Sequence, residues 1–310
     1  RFEKRLWDFI PPQTGEALRI LDHLKKTGGK RIRPALYFMA CKLMGYQGPH
    51  QMAMACVAEY VHGASLLHDD VVDNSRLRRG KPTVNSLWGD PSAVLVGDLI
   101  YSRASEIMAQ TGKLEMVSTF AEAIRKMSEG ELLQLENICH LEMTEDTYWQ
   151  ILGAKTGSLM GASCKAPLIL AQASEAQKNA LETFGYHLGM AFQLLDDALD
   201  YRGKDRLLGK KKYTDLREGR VTLPLLRLRD KLNPKEHTRL KALLGQELAS
   251  PLEEKWLMEQ LESSQALTET LREARLYTEK ALGALKSQFL PSQERRSLEA
   301  LAIGLQERMH

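Results

Sequence analysis

The chain has 310 residues, of which 43% are hydrophobic, and 43 Lys and Arg against 40 Asp and Glu give a net charge of +3. The hydrophobic share excludes a chain that is disordered throughout, and the near balance of charge argues against a nucleic-acid-binding protein. No run of 18 apolar residues occurs, so no transmembrane segment is predicted. Four cysteines without a CxxC or metal-like spacing predict reduced, mostly buried thiols and a cytoplasmic protein.

Helical periodicity dominates the chain, and the alternating pattern of β-strands is nearly absent. Gly28 and Gly29 end a first helix, and Pro34 lies in the first turn of the next one. Segments 52–67, 114–135 and 180–199 are predicted to be long helices, separated by breaks such as 79–82 and 89–92, and 202–219 is predicted to be a basic loop. The remainder is predicted to form amphipathic surface helices. With no linker or repeat, we predict one all-α domain, residues 1–310.

Two D-D-x-x-D clusters stand at the ends of apolar helical segments. The first acidic cluster is Asp69, Asp70 and Asp73, and the second is Asp196, Asp197 and Asp200. Residues four apart share a helix face, so the outer aspartates of each cluster converge and repel. Negative charge at a helix C-terminus is also unfavourable to the dipole, which favours cation binding over two solvated acidic helix ends.

Oxygen ligands without a Cys or His cluster favour Mg²⁺, or Mn²⁺ in its place, over zinc. Mg²⁺ usually takes one or two protein carboxylates and completes its shell with water and phosphate oxygens. Two separate carboxylate sets therefore predict metal ions held between the protein and a diphosphate.

Basic residues supply the other partners that a diphosphate needs. The alternative for each is an ordinary surface charge. The candidates are Lys30 and Arg33 in the segment GGKRIRP, the pair Arg78 and Arg79, Lys155 with Thr156, and Lys210. Arginine offers bidentate contacts, and glycines let the backbone approach a phosphate closely. His62 lies about two turns before Asp69 on the same face, and Gln193 lies three residues before Asp196, so both are predicted to face the site.

At these residues the sequence resembles the trans-isoprenyl diphosphate synthase family, most closely its long-chain members. The matching motifs are GGKRIRP (28–34), LLHDDVVDNSRLRRGKPTVN (66–85), VGDLIYSRA (96–104), GELLQL (130–135), Lys155 with Thr156, and FQLLDDALDY (192–201). The resemblance implies the isoprenoid synthase fold, a bundle of long helices around a central cavity, and homodimers.

The resemblance also implies a role for each motif residue. Asp69, Asp73 and Asp196 would bind Mg²⁺, supported by Asp70, Asp197 and Asp200. Arg78, Lys155 and Lys210 would hold the allylic diphosphate. Lys30, Arg33, His62 and Arg79 would hold isopentenyl diphosphate, and Thr156 and Gln193 would line the reacting centre. Relatives often carry lysine where this chain has Arg220, which keeps the charge expected to bind substrate but changes its geometry.

The implied activity is that of an all-trans polyprenyl diphosphate synthase with a farnesyl or geranylgeranyl primer. Small residues one turn before Asp69, Ala64 and Ser65, leave room for a growing chain, with Val61 below them. The predicted product is longer than C15 and, by the resemblance, about C40. Geranylgeranyl or farnesyl diphosphate synthases are alternatives within the family. A terpene cyclase and a non-catalytic partner subunit are alternatives outside it.

Overall fold

The structure is a computed structural model that describes residues 2–11, 13–202, 212–247 and 250–306. The helices of the N-terminal part are α1 (Phe2–Arg5), α2 (Gly15–Thr27), α3 (Ile32–Leu43), α4 (Gln51–Val72), α5 (Val84–Trp88), α6 (Asp90–Gln110) and α7 (Leu114–Glu136). They are followed by α8 (Glu145–Leu152), a π-helical turn (Gly153–Gly157), α9 (Ser158–Leu170) and α10 (Glu175–Arg202). The last helices are α11 (Thr214–Arg217), α12 (Leu223–Arg229), α13 (Pro234–Leu243), α14 (Pro251–Ser263), α15 (Ala266–Gln288) and α16 (Gln293–Gln306). The predicted all-α class and the three predicted long helices are confirmed.

One short hairpin was not predicted. Strand β1 (Leu77–Arg78) pairs antiparallel with β2 (Lys81–Pro82), with Arg78 opposite Lys81. The turn contains Arg79 and Gly80, which both have positive φ angles, 54° and 73°. Two-residue strands are too short to show an alternating pattern, so only the break in the helix was visible in the sequence.

Helix α4 is the most completely buried element of the first part of the chain. It packs against α6 and α3, and every residue from Met54 to Val61 is buried. Small and apolar residues cover most of its faces, which is the composition expected of a helix with neighbours on several sides. Its last turn, in contrast, ends in the first acidic cluster.

The second long helix that ends in aspartates is α10. Its residues Leu194, Leu195 and Tyr201 are buried in a core with Tyr148 of α8 and leucines of α12 to α15. The predicted loop 202–219 is wrong in part, because Thr214–Arg217 form the helical turn α11. The main-chain N–H groups of Tyr213 and Asp215 both donate to Asp200, at 3.0 Å, which ties this turn to α10.

Packing divides the chain into two compact units. The first comprises Arg1–Ile124, Ala162–Glu182 and Gln288–Leu298, and the second Arg125–Gly161, Thr183–Ser287 and Glu299–His310. A single domain over residues 1–310 stays a prediction. Within the described ranges, no helix has the length and apolar character needed to span a membrane. Three of the four cysteines, Cys41, Cys56 and Cys164, are buried and Cys139 is exposed, all as free thiols.

Candidate active site

The first acidic cluster divides into one buried and two accessible carboxylates. Asp70 is only 4% exposed, and Arg78 donates to its Oδ1 from both Nε and Nη2 at 2.8 Å. Asn85 donates to the main-chain oxygen of Asp70 at 3.0 Å. Asp69 and Asp73 remain partly exposed, one turn apart at the end of α4. Asp70 therefore anchors the β-hairpin, whereas Asp69 and Asp73 have accessible carboxylates.

Two arginines crowd the glycine pair of the first basic motif. A side chain at Gly29 would place its Cβ 2.9 Å from Arg31 Nη1 and 3.2 Å from Arg79 Nη1, and Arg79 Nη1 donates to the carbonyl of Gly28. Arg31 and Arg79 also have positive φ angles, 50° and 54°. Such backbone conformations cost energy in non-glycine residues and cluster at functional sites.

His62 and Arg33 lie in the same crowded region. Burial is the main cause that lowers the pKa of His62 well below its usual range, and the charges of Arg33, Arg78 and Arg79 lower it further. Burial also lowers the pKa of Arg33, and its buried Nε has no hydrogen-bond partner. A buried guanidinium N–H without an acceptor is a costly arrangement that an anionic ligand would relieve.

The neutral state of His62 predicts acid sensitivity. The native pKa of His62 lies below the ordinary value of 6.5. As the pH falls below 6.5, His62 therefore becomes protonated in the unfolded chain while it stays neutral in the native state. Between pH 7.5 and 5.5 the free energy of unfolding should fall more in the unmodified protein than in His62→Gln, by up to about 1.4 kcal/mol, the limit for a native state that takes up no proton in this range. Urea unfolding of both proteins at both pH values measures this, and equal losses would contradict it.

The second acidic cluster repeats the division seen in the first. Asp197 is 3% exposed, and Tyr148 Oη donates to its Oδ2 at 2.7 Å while Gln193 Nε2 donates to its Oδ1 at 2.9 Å. Burial, followed by the charge of Asp215, raises the pKa of Asp197 to about 8. Asp196 and Asp200 stay partly exposed. In both clusters the middle aspartate is buried and the outer two are partly exposed, although Asp200 Oδ2 also accepts from the main-chain N–H of Asp215.

Asp215 is a carboxylate near the second cluster that the sequence prediction missed. Its N–H donates to Asp200 Oδ2 at 3.0 Å, and its Oδ1 accepts from Arg220 Nε at 3.1 Å. Arg220 also pairs with Glu218. Arg220 therefore pairs with two acidic residues that are close to it in the chain. Its contact with substrate stays a prediction. Lys210 lies outside the described residues.

A π-helical turn presents Lys155 and Thr156. Lys155 Nζ donates to Gln134 Oε1 at 3.0 Å and also pairs with Glu131. Gln134 and Glu131 both lie on α7. Thr156 Oγ1 donates to Gln193 Oε1 at 3.3 Å, and Gln193 in turn contacts the second acidic cluster. Thr156, Gln193 and Asp197 thus form one connected set of hydrogen bonds, and Lys155, the residue before Thr156, is held separately by α7. Turns of this type occur frequently at functional sites.

Glycines make the π-helical turn possible. A Cβ at Gly157 would lie 2.8 Å from ring atoms of Tyr186, and one at Gly189 would lie 3.0 Å from the backbone of Gly157. Tyr186 and Gly189 belong to α10, so this helix packs directly on the turn. In the sequence, the glycines on either side of Lys155 and Thr156 could have indicated this turn. No sequence pattern marks Tyr186 as its neighbour.

The three residues predicted to control chain length differ in accessibility. Val61 and Ala64 have no exposed surface, whereas Ser65 is partly exposed and donates from Oγ to the carbonyl of His62 at 2.9 Å. A larger side chain is therefore better accommodated at the partly exposed Ser65 than at Ala64, where it must displace packed neighbours.

The chemistry of these donors fits divalent ions that share their shell with a substrate. Across residues 2–11, 13–202, 212–247 and 250–306, no group of three or more His, Cys, Asp or Glu is arranged to hold a metal alone. Each acidic cluster instead offers accessible carboxylates on adjacent turns, which matches the one or two protein ligands usual for Mg²⁺.

Comparison with known proteins identifies the family. A sequence model described as polyprenyl synthetase matches residues 16–261. Octaprenyl diphosphate synthase of Escherichia coli is 39% identical over 282 residues, which are 90% of this chain and 84% of that protein. The chain belongs to the polyprenyl synthetase family.

Solved structures agree with the membership. A decaprenyl diphosphate synthase from Rhodobacter capsulatus has a TM-score of 0.92 and 34% identity, over 100% of this chain and 95% of that one. A polyprenyl synthase from Caulobacter crescentus, complexed with calcium and isoprenyl diphosphate, has a TM-score of 0.92 and 36% identity, over 100% and 94%. The isoprenoid synthase fold is confirmed, and the chain is a prenyltransferase of a Mg²⁺-dependent family.

Proposed function

We propose that this member of the polyprenyl synthetase family is an all-trans polyprenyl diphosphate synthase. It extends a farnesyl or geranylgeranyl primer with isopentenyl diphosphate to a product longer than C15, about C40. The observation that carries the proposal is the repeated aspartate arrangement, in which a buried, hydrogen-bonded middle carboxylate is flanked by two partly exposed ones at the ends of α4 and α10. The names of the long-chain relatives support the product class.

In the proposed reaction the allylic carbon–oxygen bond breaks and the double bond of isopentenyl diphosphate attacks the resulting cation. Asp69, Asp73 and Asp196 would hold Mg²⁺, or Mn²⁺, which when bound neutralises charge on the departing diphosphate. Asp70, Asp197 and Asp200 keep these carboxylates in place. Arg78, Lys155 and Lys210 hold the allylic diphosphate.

The second substrate is proposed to bind at the basic motifs of the first unit. Lys30, Arg33, His62 and Arg79 hold the diphosphate of isopentenyl diphosphate, supported by the buried, unpartnered Nε of Arg33. Thr156 and Gln193, already hydrogen-bonded to each other, border the reacting carbon atoms. The departing diphosphate takes up the proton that the product loses. A cytoplasmic homodimer is the proposed form of the enzyme.

The product made by the pure protein tests the proposal. The protein is incubated with Mg²⁺, isopentenyl diphosphate and farnesyl diphosphate, and the dephosphorylated products are analysed by mass. All-trans products longer than C20, centred near C40, are expected. A terminal C20 product would establish a geranylgeranyl diphosphate synthase, the activity named for the similar Pyrococcus horikoshii structure, which has a TM-score of 0.90.

The same assay separates the remaining classes. A cyclic hydrocarbon made from farnesyl diphosphate alone would indicate a terpene cyclase. No product from the pure chain, with activity restored by a second protein, would indicate a partner subunit.

Replacement of Ser65 should shorten the product. Ser65 is partly exposed and lies one turn before Asp69, so in Ser65→Phe the ring should take up room proposed for the growing chain. The main product is expected to lose at least two isoprene units, as measured by mass analysis. Ser65→Ala is the matched control and should keep the original length. An unchanged distribution in Ser65→Phe would contradict the tunnel assignment.

A further inference from the structure

Four arginines surround His62 in the first unit. Arg31, Arg33, Arg78 and Arg79, here called the arginine group, all lower the pKa of this histidine through their charges. The guanidinium groups of Arg31 and Arg79 both approach the position of a Cβ at Gly29, at 2.9 and 3.2 Å. Arg78 and Arg31 are each among the charges that lower the pKa of Arg79. Like charges this close would spread apart unless something held them.

Glu59 is a buried carboxylate inside this group. It lies on α4 one turn before His62 and is 9% exposed. Its Oε2 accepts from Arg31 Nη1 at 2.6 Å. Its charge raises the pKa of Arg33 and Arg79, the opposite effect to that of burial, so it stabilises the charged state of both guanidinium groups. A carboxylate is rarely buried without such a partner.

Arg31 is held at two points. Its Nε donates to Glu3 Oε1 at 2.6 Å on the outside, and its Nη1 donates to Glu59 on the inside. The Glu3 side chain is 60% exposed, whereas that of Glu59 is 8% exposed. Exposed ion pairs contribute little, and the loss of one partner from a buried pair is costly. The inner contact therefore dominates the orientation of Arg31.

We propose that Glu59 is a positioning residue for isopentenyl diphosphate: by holding Arg31 it keeps the arginine group converged on the diphosphate. This inference rests on the proposed function, because it needs the substrate to bind at the basic motifs. Glu59 was not singled out in the sequence, and Arg31 was noted only as one of the three cations of the segment GGKRIRP, without a role of its own.

A positioning role differs in sign from a purely electrostatic one. If Glu59 only reduced the net positive charge of the arginine group, its removal would strengthen the attraction for a diphosphate and lower KM for isopentenyl diphosphate. If it holds Arg31 in place, its removal leaves the cations to separate, and KM rises. A purely structural role would lower thermal stability and the active fraction but leave KM unchanged.

The experiment is steady-state kinetics with isopentenyl diphosphate as the varied substrate and farnesyl diphosphate saturating. The variants are Glu59→Gln, Arg31→Met, the double variant, Glu59→Asp and Lys30→Gln. Glu115→Gln is the control, because Glu115 pairs with the buried Lys178 at 2.7 Å without being part of the proposed site. Thermal unfolding of each variant monitors folding.

We expect Glu59→Gln to raise KM for isopentenyl diphosphate about tenfold, with kcat and KM for farnesyl diphosphate changed less than threefold. The double variant should be no worse than the worse single variant, because Glu59 acts through Arg31. Glu59→Asp, which keeps the charge with a shorter reach, should give an intermediate KM and serves if Glu59→Gln does not fold. Glu115→Gln should change KM less than twofold.

Other outcomes overturn the inference in distinguishable ways. A raised KM in Lys30→Gln with an unchanged or lowered KM in both Glu59 variants would overturn the role of Glu59 alone. Multiplicative effects in the double variant would show that Glu59 does not act through Arg31. An unchanged KM in Lys30→Gln and in Arg31→Met would overturn the proposed binding of isopentenyl diphosphate at these motifs, and the role of Glu59 with it.

Discussion

Asp69→Asn is expected to lower kcat by about a thousandfold, because transition-state charge stabilisation of this kind contributes on that scale. The substitution keeps the size of the side chain but removes the charge that binds a metal ion. Without that ion, the departing diphosphate carries its developing charge uncompensated. Incorporation of labelled isopentenyl diphosphate into extractable product measures the loss, with Mg²⁺ varied from micromolar to tens of millimolar.

Two comparisons make this test specific. Asp22→Asn, which replaces an exposed aspartate paired with Lys25 at 2.9 Å, should keep full activity. Asp70→Asn should lower thermal stability more than Asp69→Asn, because it weakens a buried pair with Arg78. If Asp69→Asn retained more than about a tenth of kcat at saturating Mg²⁺, the metal-binding role proposed for the first acidic cluster would be wrong.

Gly189→Ala should damage the enzyme from a position that touches no substrate. The new Cβ would lie 3.0 Å from both Gly157 Cα and the Thr156 carbonyl oxygen, which are backbone atoms of the π-helical turn. The turn or α10 must shift, at a cost of about 1–3 kcal/mol in the free energy of unfolding. The same shift moves Thr156 and Lys155, so kcat should fall at least tenfold, since small misplacements of catalytic groups are costly.

Gly283→Ala is the matched control for that substitution. Gly283 lies in α15, and a Cβ there would meet nothing within 4 Å. Alanine should stabilise this helix by about 0.5–1 kcal/mol and leave kcat unchanged. Urea unfolding measures the change in the free energy of unfolding of both variants, and steady-state assays measure their kcat. Equal behaviour of the two would refute the view that Gly189 supports the π-helical turn.

Local patterns carried much of the prediction. The 3.6-residue period located α4, α7 and α10, because each helix buries a wide apolar surface that its own sequence must supply. The spacing of the two acidic clusters is a local property of a helix and was visible for the same reason. The family and the prenyl-transfer chemistry followed from motifs that the comparisons confirmed.

Other features depend on partners that are distant in the chain. Which aspartate of each cluster is buried depends on Arg78 in one case and on Tyr148, 49 residues from Asp197, in the other. The turn α11 is tied to Asp200, 15 residues earlier in the chain, and has no period to reveal it. The hairpin β1–β2 was missed for a different reason, because its strands of two residues are too short to show a period.

The sequence alone was thus sufficient for the three long helices, the acidic clusters and the family, since these are recorded in spacings of a few residues. The folded chain was needed to find the buried Glu59 beside Arg31 and the packing of α10 on the π-helical turn. From the sequence alone, a glutamate such as Glu59 is expected at the surface. Only the folded structure shows its contact with Arg31, which is 28 residues away in the chain. Pairing of this kind is set by three-dimensional proximity, and burial then decides how strongly it counts.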